Sequence, residues 1–464
     1  MKTKHSLFLL LVLLVVPAVA QTARAPAAAA VVRPETARIE GATAGGLRWL
    51  ADHQITNGAS AGAWAVNSAN YRPAIASLVG LAFLSNGHLP GTNTPYARVV
   101  AGALKHVTST MASDGYVGQG DQSGMYIHAI STLFVLSCYG MQSDEALDPE
   151  LASWCRRSLD VILRAQQTQK SFTERGGWRY EPYGEQSDVS VTCWQLLVLH
   201  AARQAGFEVE MPVYNAALSY LNRAYVPVKA EKEKGAPAGG YLYRPGFTQD
   251  PERPATALVL FIQSLFDAGN NQRTQAALEF LRRYPLTWDG SQYNGYFYFS
   301  GFYMMQGMFQ IGGAEWNSFG PRMANLLLDH QNGDGSWPYP PNSLREDMQT
   351  TGPAYPVAMS VLMLSLDKQY LPMYQRQRRI YENSAVTVTQ SEPEAKPSSP
   401  TPPPPPPPPI PPPPGPDKNR DSLVPDAPAP VSNEPAQPPP AAPEPVEDPE
   451  EGGIQRPIGY RLGG

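Results

Sequence analysis

The stretch Gln331-Asn-Gly-Asp-Gly-Ser-Trp337 decides the fold of this chain. It separates one helical pattern of apolar residues from a second that begins near Tyr355. A loop with a glycine beside an aromatic recurs at five earlier places, at intervals of about 40 to 65 residues. The six marks are Gly62/Trp64, Gly115/Tyr116, Gly177/Trp178, Gly240/Tyr241, Gly295/Tyr296 and Gly335/Trp337. A repeat of this length predicts an array of helical hairpins.

The third repeat illustrates how one hairpin is built. Apolar residues between Leu151 and Gln167 recur at helical spacing and leave a polar face, which predicts an amphipathic helix. The loop Arg175-Gly-Gly-Trp178 breaks this pattern. The next pattern, Val191 to Ala205, is apolar on most of its circumference and indicates a buried helix. Each repeat therefore pairs an outer amphipathic helix with an inner apolar one. The inner helices are predicted to begin after Tyr71, Ser123, Ser187, Arg253, Gly295 and Gly352.

Six such hairpins close naturally into a ring. The inner helices then run parallel around one central cavity, with their N-termini at one mouth. The predicted fold class is all-α, an α/α toroid of six hairpins over residues 41–381, whose last hairpin covers Phe319–Gln331 and Tyr355–Leu366. An open superhelical solenoid is the alternative, because it also stacks helix pairs. The lack of an obvious capping repeat in the sequence favours closure.

Both ends of the chain differ in composition from the repeats. Residues 1–20 combine a basic start, an apolar run and an Ala18-Val-Ala20 cleavage pattern, which predict a secretory signal peptide; an uncleaved anchor is the alternative. Residues 21–40 are predicted to be a linker. Residues 382–464, with the proline run Pro402–Pro409, are predicted to be a disordered proline-rich tail that tethers the protein or binds a partner. We therefore expect a secreted or periplasmic protein without a membrane span after signal removal.

Charge and cysteine usage restrict the classes of partner and site. The formal net charge is −5 and no basic stripe is present, which argues against a nucleic-acid partner. Cys138, Cys155 and Cys193 lie in apolar helical patterns and form no C-x-x-C motif. We interpret them as small buried hydrophobes, with one disulfide as the alternative in an oxidising compartment.

The repeats resemble those of the prenyltransferase and squalene oxidase repeat proteins, the family of the squalene–hopene cyclases and the protein prenyltransferase β subunits. The resemblance covers nearly all of residues 42–367, and its most specific motif is Gln331, Gly335 and Trp337, which looks like the cyclases' QW motif. The other five copies are degenerate. The resemblance implies an α/α toroid for a divergent secreted member of the family.

The acid motif of the triterpene cyclases is altered in this chain. The cyclases carry Asp-x-Asp-Asp-Thr at the start of an inner helix, where the middle aspartate protonates the substrate. The corresponding stretch here is Asp188-Val-Ser-Val-Thr192, so that Ser190 replaces the acid and Val191 the last aspartate. A serine hydroxyl is far too weak an acid to protonate an alkene. Asp188, Ser190 and Thr192 remain the catalytic candidates, and the alternative is that Asp188 caps the helix.

The zinc set of the protein prenyltransferases is also incomplete. Their zinc ligands are an aspartate, a nearby cysteine and a distant histidine, a set that suits Zn²⁺. Asp188 and Cys193 lie five residues apart here, and His200 is two helical turns beyond Cys193, too far to share one metal. We therefore predict no metal and no cofactor.

Aromatic residues of several inner helices predict a ligand pocket. The fifth inner helix is unusually aromatic, and Tyr126, Tyr355 and the early-helix His128 come from other repeats. The candidate ligand-binding residues are Tyr126, His128, Tyr298, Tyr303 and Tyr355. They suit an apolar or flat ligand, although an aromatic stripe of this kind also forms ordinary core.

Two hypotheses of different class follow. The first is a binding or scaffold toroid whose partner is an unknown apolar small molecule or a protein. The second is an enzyme of the terpenoid cyclase or prenyltransferase type, or a glycan-active α/α barrel, which needs two carboxylates at a defined separation. The acids predicted near the mouth are Asp121, Glu181, Glu185, Asp188, Asp250, Glu252, Asp289 and Asp347.

Overall fold

The computed structural model describes residues 34–142, 148–228, 237–266, 271–288, 296–341 and 350–374. The predicted signal peptide, most of the linker and the proline-rich tail lie outside these residues, as do Gly295, Asp289 and Asp347. The predictions for those segments therefore remain predictions.

Outer and inner helices alternate along the described chain. The outer helices are α1 (Thr36–Asp52), α3 (Ala97–Ser109), α5 (Pro149–Gln166), α7 (Met211–Arg223), α9 (Asn271–Arg283) and α11 (Gly313–Leu328). The inner helices are α2 (Arg72–Leu84), α4 (Gly124–Gly140), α6 (Val189–Gln204), α8 (Arg253–Leu265), α10 (Phe297–Ile311) and α12 (Ala354–Leu364). Two short antiparallel strands, β1 (Tyr225–Pro227) and β2 (Gly239–Tyr241), form the loop before α8.

The inner helices form a closed ring. Helix α2 packs on α4, α4 on α6, α6 on α8, α8 on α10, α10 on α12, and α12 returns to α2. Nearly every residue of these helices is buried, whereas each outer helix buries only one face. The fold is therefore an α/α toroid, and both the inner-helix assignment and the predicted closure are confirmed.

Some helix limits differ from the sequence patterns. Helix α1 begins at Thr36, inside the predicted linker. Helix α11 begins at Gly313, six residues before the predicted Phe319, because α10 ends at Ile311 and Gly312, with a φ of +74°, leads the backbone directly into α11. Ser123 precedes α4 but makes no side-chain cap bond; the Met125 amide instead donates to the Tyr180 carbonyl at 2.9 Å. A carbonyl in a loop of the neighbouring repeat thus accepts a hydrogen bond from an amide at the start of this helix.

The Gln-Gly-Trp motif joins the last repeat to the first. The Gln331 amide nitrogen donates to the carbonyl of Gly335 at 3.0 Å and to that of Ala42 in α1 at 2.8 Å. The Trp337 indole N–H donates to the carbonyl of Leu327 in α11 at 2.7 Å. The motif therefore satisfies carbonyls of its own loop, its own outer helix and the next outer helix.

The same set of hydrogen bonds, here called the lock, occurs in the first and third repeats. A glutamine amide bonds its own loop and the next outer helix, and a tryptophan bonds the end of its own outer helix. The donors and acceptors are Gln54 to Gly62 and Val99, Trp64 to Leu50, Gln166 to Gly176 and Val213, and Trp178 to Ile162. In the third repeat the glycine with positive φ is Gly176, at +92°, and not the marked Gly177, which packs against Ser187 and Thr192.

Gly335 is required at the ring closure for two reasons. Its φ of +94° lies in the region that L side chains avoid, and a Cβ added there would lie 2.5 Å from the carbonyl oxygen of Gly45. A Cβ on Gly46 would in turn lie 2.8 Å from the Trp337 ring. The glycine pair of α1 therefore permits close contact with the last loop.

We expect Gly335→Ala to lower the free energy of unfolding by about 2 kcal/mol or more, because backbone strain adds to a clash with backbone. Gly333→Ala is the matched control, since a Cβ there meets nothing within 4 Å. It should change stability by less than about 0.5 kcal/mol. Urea unfolding of both variants measures the difference, and equal losses would contradict a special role for Gly335.

Candidate functional site

A cavity of about 730 Å³ lies at the mouth of the ring. Each of the six inner helices contributes residues from its N-terminal part or from the loop just before it. The aromatic side chains of its wall are Tyr71, Tyr126, Tyr180, Trp194, Tyr243, Tyr296, Phe299 and Tyr355. A cavity of this size falls within the range of small-molecule sites.

Only part of the predicted ligand set reaches this cavity. Tyr126 and Tyr355 line it, whereas Tyr298 and Tyr303 are buried outside its lining. The Tyr298 hydroxyl donates to the Pro338 carbonyl at 2.6 Å, and the Tyr303 ring packs edge-on against Trp194 at 5.8 Å. Successive side chains of a helix point in different directions, so only some residues of an aromatic run can face the cavity. These two tyrosines instead pack behind the cavity wall.

His128 is a core residue whose two ring nitrogens are both used. Nδ1 accepts a hydrogen bond from the Val117 amide at 3.1 Å, and Nε2 donates to the Ser158 carbonyl at 3.0 Å. These partners require the neutral tautomer with the proton on Nε2. The side chain is fully buried, and burial lowers its pKa from 6.5 to about 4. His128 therefore joins two hairpins rather than lining the cavity.

Sequence reasoning missed several lining aromatics. Tyr180 and Tyr243 each lie two residues after a marked aromatic, Trp178 and Tyr241. Because the marked aromatic is buried and the loop backbone is extended there, the second residue emerges at the mouth. The aromatic–x–tyrosine pattern was the signal available in the sequence.

The hydroxyls of Tyr180 and Tyr243 form a direct hydrogen bond of 2.6 Å in the cavity wall. Ser190 also lines the cavity at this side. The guanidinium of Arg179 lies 4.7 Å from the Tyr180 ring centroid and 5.9 Å from that of Tyr243. A cation thus lies over both rings of this polar part of the wall.

Asp188 lies behind this wall as the N-cap of α6. Its Oδ1 accepts a hydrogen bond from the Val191 amide at 2.8 Å, and the side chain is fully buried. Oδ2 has no partner in hydrogen-bond geometry, and the Arg179 Nε lies 3.7 Å away. Burial raises the pKa of Asp188 to about 7, opposed by the Val191 hydrogen bond, Arg179 and the Tyr243 hydroxyl. The predicted cap geometry is therefore present.

The other two catalytic candidates differ in position. Ser190 reaches the cavity, but Thr192 is fully buried and its hydroxyl accepts a hydrogen bond from the Trp178 amide at 3.0 Å. Thr192 therefore fixes the loop that carries Arg179 and Tyr180.

A buried ion pair fixes the residue before Asp188. Arg244 donates to Glu174 Oε1 at 2.7 Å, and Glu174 Oε2 accepts from the Ser187 amide at 2.6 Å. Lys170 donates to the carbonyl of Gly177 at 2.7 Å and to the Ser187 hydroxyl at 3.2 Å. Burial lowers the pKa of Lys170 to about 8. These contacts fix the loop that carries Tyr180 relative to the start of α6, which Asp188 caps.

Glu252 is the acidic side chain among the residues lining the cavity. It precedes α8 without making a side-chain cap bond, and burial raises its pKa above the usual value. Cys138, Cys155 and Cys193 are buried free thiols, as interpreted from the sequence. Among the described residues, no group of three or more His, Cys, Asp or Glu side chains is arranged to hold a metal ion. None of the described helices is long and apolar enough to span a bilayer.

Comparisons with known proteins identify the fold and not the family. No protein-family model and no curated protein matches the chain. An inactive variant of the α-1,6-mannanase GH76A of Salegentibacter sp., solved with α-1,6-mannotriose, is similar with a TM-score of 0.50 and 10% identity, over 70% of this chain and 98% of that one.

Two further solved structures match less well. The type II terpene cyclase MstE from Scytonema has a TM-score of 0.43 and 15% identity, over 73% of this chain and 100% of that one. A protein from Actinoplanes has a TM-score of 0.41 and 16% identity, over 71% and 99%. At such identities the likeness concerns the fold alone.

We expect Asp188→Asn to keep the cap and remove a buried charge. The folded-state pKa of Asp188, about 7, exceeds the ordinary value of 3.8, so the folded state binds the extra proton between these values. The contribution of Asp188 to stability should therefore decrease as pH rises from about 4 to 7, by a few kcal/mol at most. The free energy of unfolding of the Asn variant should match that of the wild type near pH 4 and equal or exceed it at pH 8. Asp188→Ala should lose about 0.5–2 kcal/mol through the missing cap. An Asn variant clearly less stable at pH 8 would contradict this account.

The pH dependence from His128 should have the opposite sign. Its folded-state pKa of about 4 lies below the ordinary 6.5, so the unfolded state binds the extra proton. Its contribution is complete above about pH 6.5 and decreases by up to about 3 kcal/mol as pH falls to 4. His128→Gln should be less stable at neutral pH but should lack this slope. Urea unfolding at several pH values measures both, and an unchanged slope would mean that another group titrates.

Proposed function

We propose that this protein is a secreted or periplasmic binding module that holds a largely apolar or flat small molecule in the mouth cavity. The observation that carries this proposal is a cavity of about 730 Å³ with aromatic side chains from several inner helices. Such walls bury most of a small ligand and fix it with a few polar groups. The signal-like residues 1–20 support export, and the proline-rich residues 382–464 suit a tether.

The position of Asp188 supports binding rather than cyclase chemistry. A group that protonates a substrate must come within hydrogen-bond reach of it. Asp188 is fully buried, caps α6 and is absent from the cavity lining, whereas Ser190 faces the ligand space in place of the acid. The toroid would therefore keep the cavity of a cyclase-like fold without its acid.

A glycan-active barrel is the second candidate. The similar mannanase was solved with α-1,6-mannotriose, and the rim residues Gln122, Thr350 and Thr351 are polar. Glycoside hydrolysis normally uses two carboxyl groups about 5 to 9.5 Å apart. The described lining contains Glu252 as its acidic residue, which favours binding over hydrolysis.

Calorimetric titration with geranylgeraniol and with α-1,6-mannotriose tests the proposal. We expect saturable binding of geranylgeraniol that Phe299→Ala weakens by about 10-fold or more, because a lining aromatic is removed. Phe309→Ala is the matched control: Phe309 lies on the same helix, is similarly half-buried and packs on Trp316 outside the cavity. It should leave the affinity unchanged.

The outcomes separate the two candidates. No saturable binding of geranylgeraniol overturns the proposal. Binding and cleavage of mannotriose would establish the glycan-active alternative, with Glu252→Gln as the variant expected to abolish cleavage.

A further inference from the structure

One side of the mouth cavity carries a hydrogen-bonded pair of tyrosine hydroxyls. Tyr180 and Tyr243, here called the tyrosine pair, both line the cavity, and their oxygens lie 2.6 Å apart. Tyr126 packs beside Tyr180, with ring centroids 6.1 Å apart. The rest of the wall includes Ile75, Ile127, Trp194, Phe299 and Met359. The lining also contains the polar residues Gln122, Glu252, Thr350 and Thr351, so the tyrosine pair is one of several polar groups that a ligand can meet.

Asp188 determines which hydrogen-bonding groups the tyrosine pair presents. Two hydroxyls joined by one hydrogen bond have one remaining proton between them. Asp188 Oδ2 is fully buried without a hydrogen-bond partner, and the neighbouring Tyr243 hydroxyl stabilises its charge. An ionised carboxylate attracts the free proton because burying it unpaired is unfavourable. The hydroxyl proton of Tyr243 then points toward Asp188, and the Tyr180 hydroxyl donates to the Tyr243 oxygen. The pair therefore presents oxygen lone pairs to the cavity.

The surrounding charges disfavour a charged head group. The Arg179 guanidinium lies over both rings of the pair, and the N-termini of the inner helices carry partial positive charge, so an ammonium group is unfavourable there. Asp188 and the acceptor oxygens of the pair disfavour a carboxylate or phosphate. A neutral hydrogen-bond donor satisfies both constraints.

Resting on the proposed binding function, we propose that the ligand is a neutral amphiphilic alcohol whose hydroxyl donates a hydrogen bond to the Tyr180–Tyr243 pair. Its apolar body lies against Trp194, Phe299 and the aliphatic wall. Asp188 acts as a positioning residue, since it orients the hydroxyl protons of the pair without touching the ligand.

Three probes with the same chain and different heads test this assignment. Geranylgeraniol donates and accepts, geranylgeranyl methyl ether only accepts, and geranylgeranylamine is cationic. Titrations at pH 8 keep Asp188 largely ionised. We expect the wild type to bind the alcohol about 10-fold more tightly than the ether, the factor of one good hydrogen bond. The amine should bind more weakly than the alcohol.

Conservative variants identify the side chains that produce the preference for the alcohol over the ether. Tyr243→Phe should bring the alcohol-to-ether affinity ratio close to one while the ether affinity changes by less than about twofold. Asp188→Asn should also reduce the ratio, because its amide N–H reverses the direction of the hydrogen bonds and turns a Tyr180 proton toward the cavity. Tyr139→Phe is the control: it removes the hydroxyl of a half-buried tyrosine that packs on Phe207 outside the cavity lining, and it should preserve the ratio. Melting curves confirm that each variant is folded.

The possible failures are distinguishable. Equal affinities for alcohol and ether, both weakened by Phe299→Ala, would overturn the head-group assignment and leave the binding function standing. An unchanged ratio in Tyr243→Phe, or tighter binding of the amine, would also overturn it. Absence of saturable binding for all three probes would overturn the proposed function and this inference together.

Discussion

The structure depends on a hydrogen-bonded lock between one outer helix and the next. In the last repeat, Gln331 bonds its own loop and the Ala42 carbonyl of α1, while Trp337 bonds the end of α11. Each of these side-chain donors binds a backbone carbonyl, so the bonds tie two outer helices and one loop together. Because the loop approaches Gly45 closely enough to exclude a Cβ, the contact is specific in distance as well as in partners. The lock joins the last repeat to the first and so closes the ring.

Closure places the beginnings of six inner helices at one mouth, and the cavity follows from that geometry. The loops that contain the locks also contribute to the cavity. In the third repeat, Trp178 is buried and bonds the Ile162 carbonyl, and Tyr180, two residues later, lines the cavity. Thr192 bonds the Trp178 amide, and Glu174 bonds the Ser187 amide, so the loop and the start of α6 are held together. A wall held in this way can present hydroxyls in a fixed arrangement, which preorganised recognition requires.

Asp188 caps α6 and, in the proposed ligand site, also contributes to recognition. As the cap of α6, it satisfies the Val191 amide through one oxygen. The other oxygen lies buried near Arg179 and Tyr243, where burial raises the carboxyl pKa toward neutrality. In the proposed ligand site the tyrosine pair lines the cavity and Asp188 does not, so Asp188 would act through its neighbours.

The sequence alone determined the all-α class, the hairpin repeat and the identity of the inner helices, since apolar periodicity and glycine–aromatic loops report local geometry and burial directly. It also indicated Asp188 as a cap and Tyr126 and Tyr355 as residues of the mouth. Only the tertiary structure decided that Tyr298, Tyr303 and His128 belong to the core and that Tyr180, Tyr243 and Phe299 line the cavity. The reason is physical: composition shows that an inner helix is buried, but its rotation about its own axis, set by packing on two neighbours, selects which side chains face the mouth.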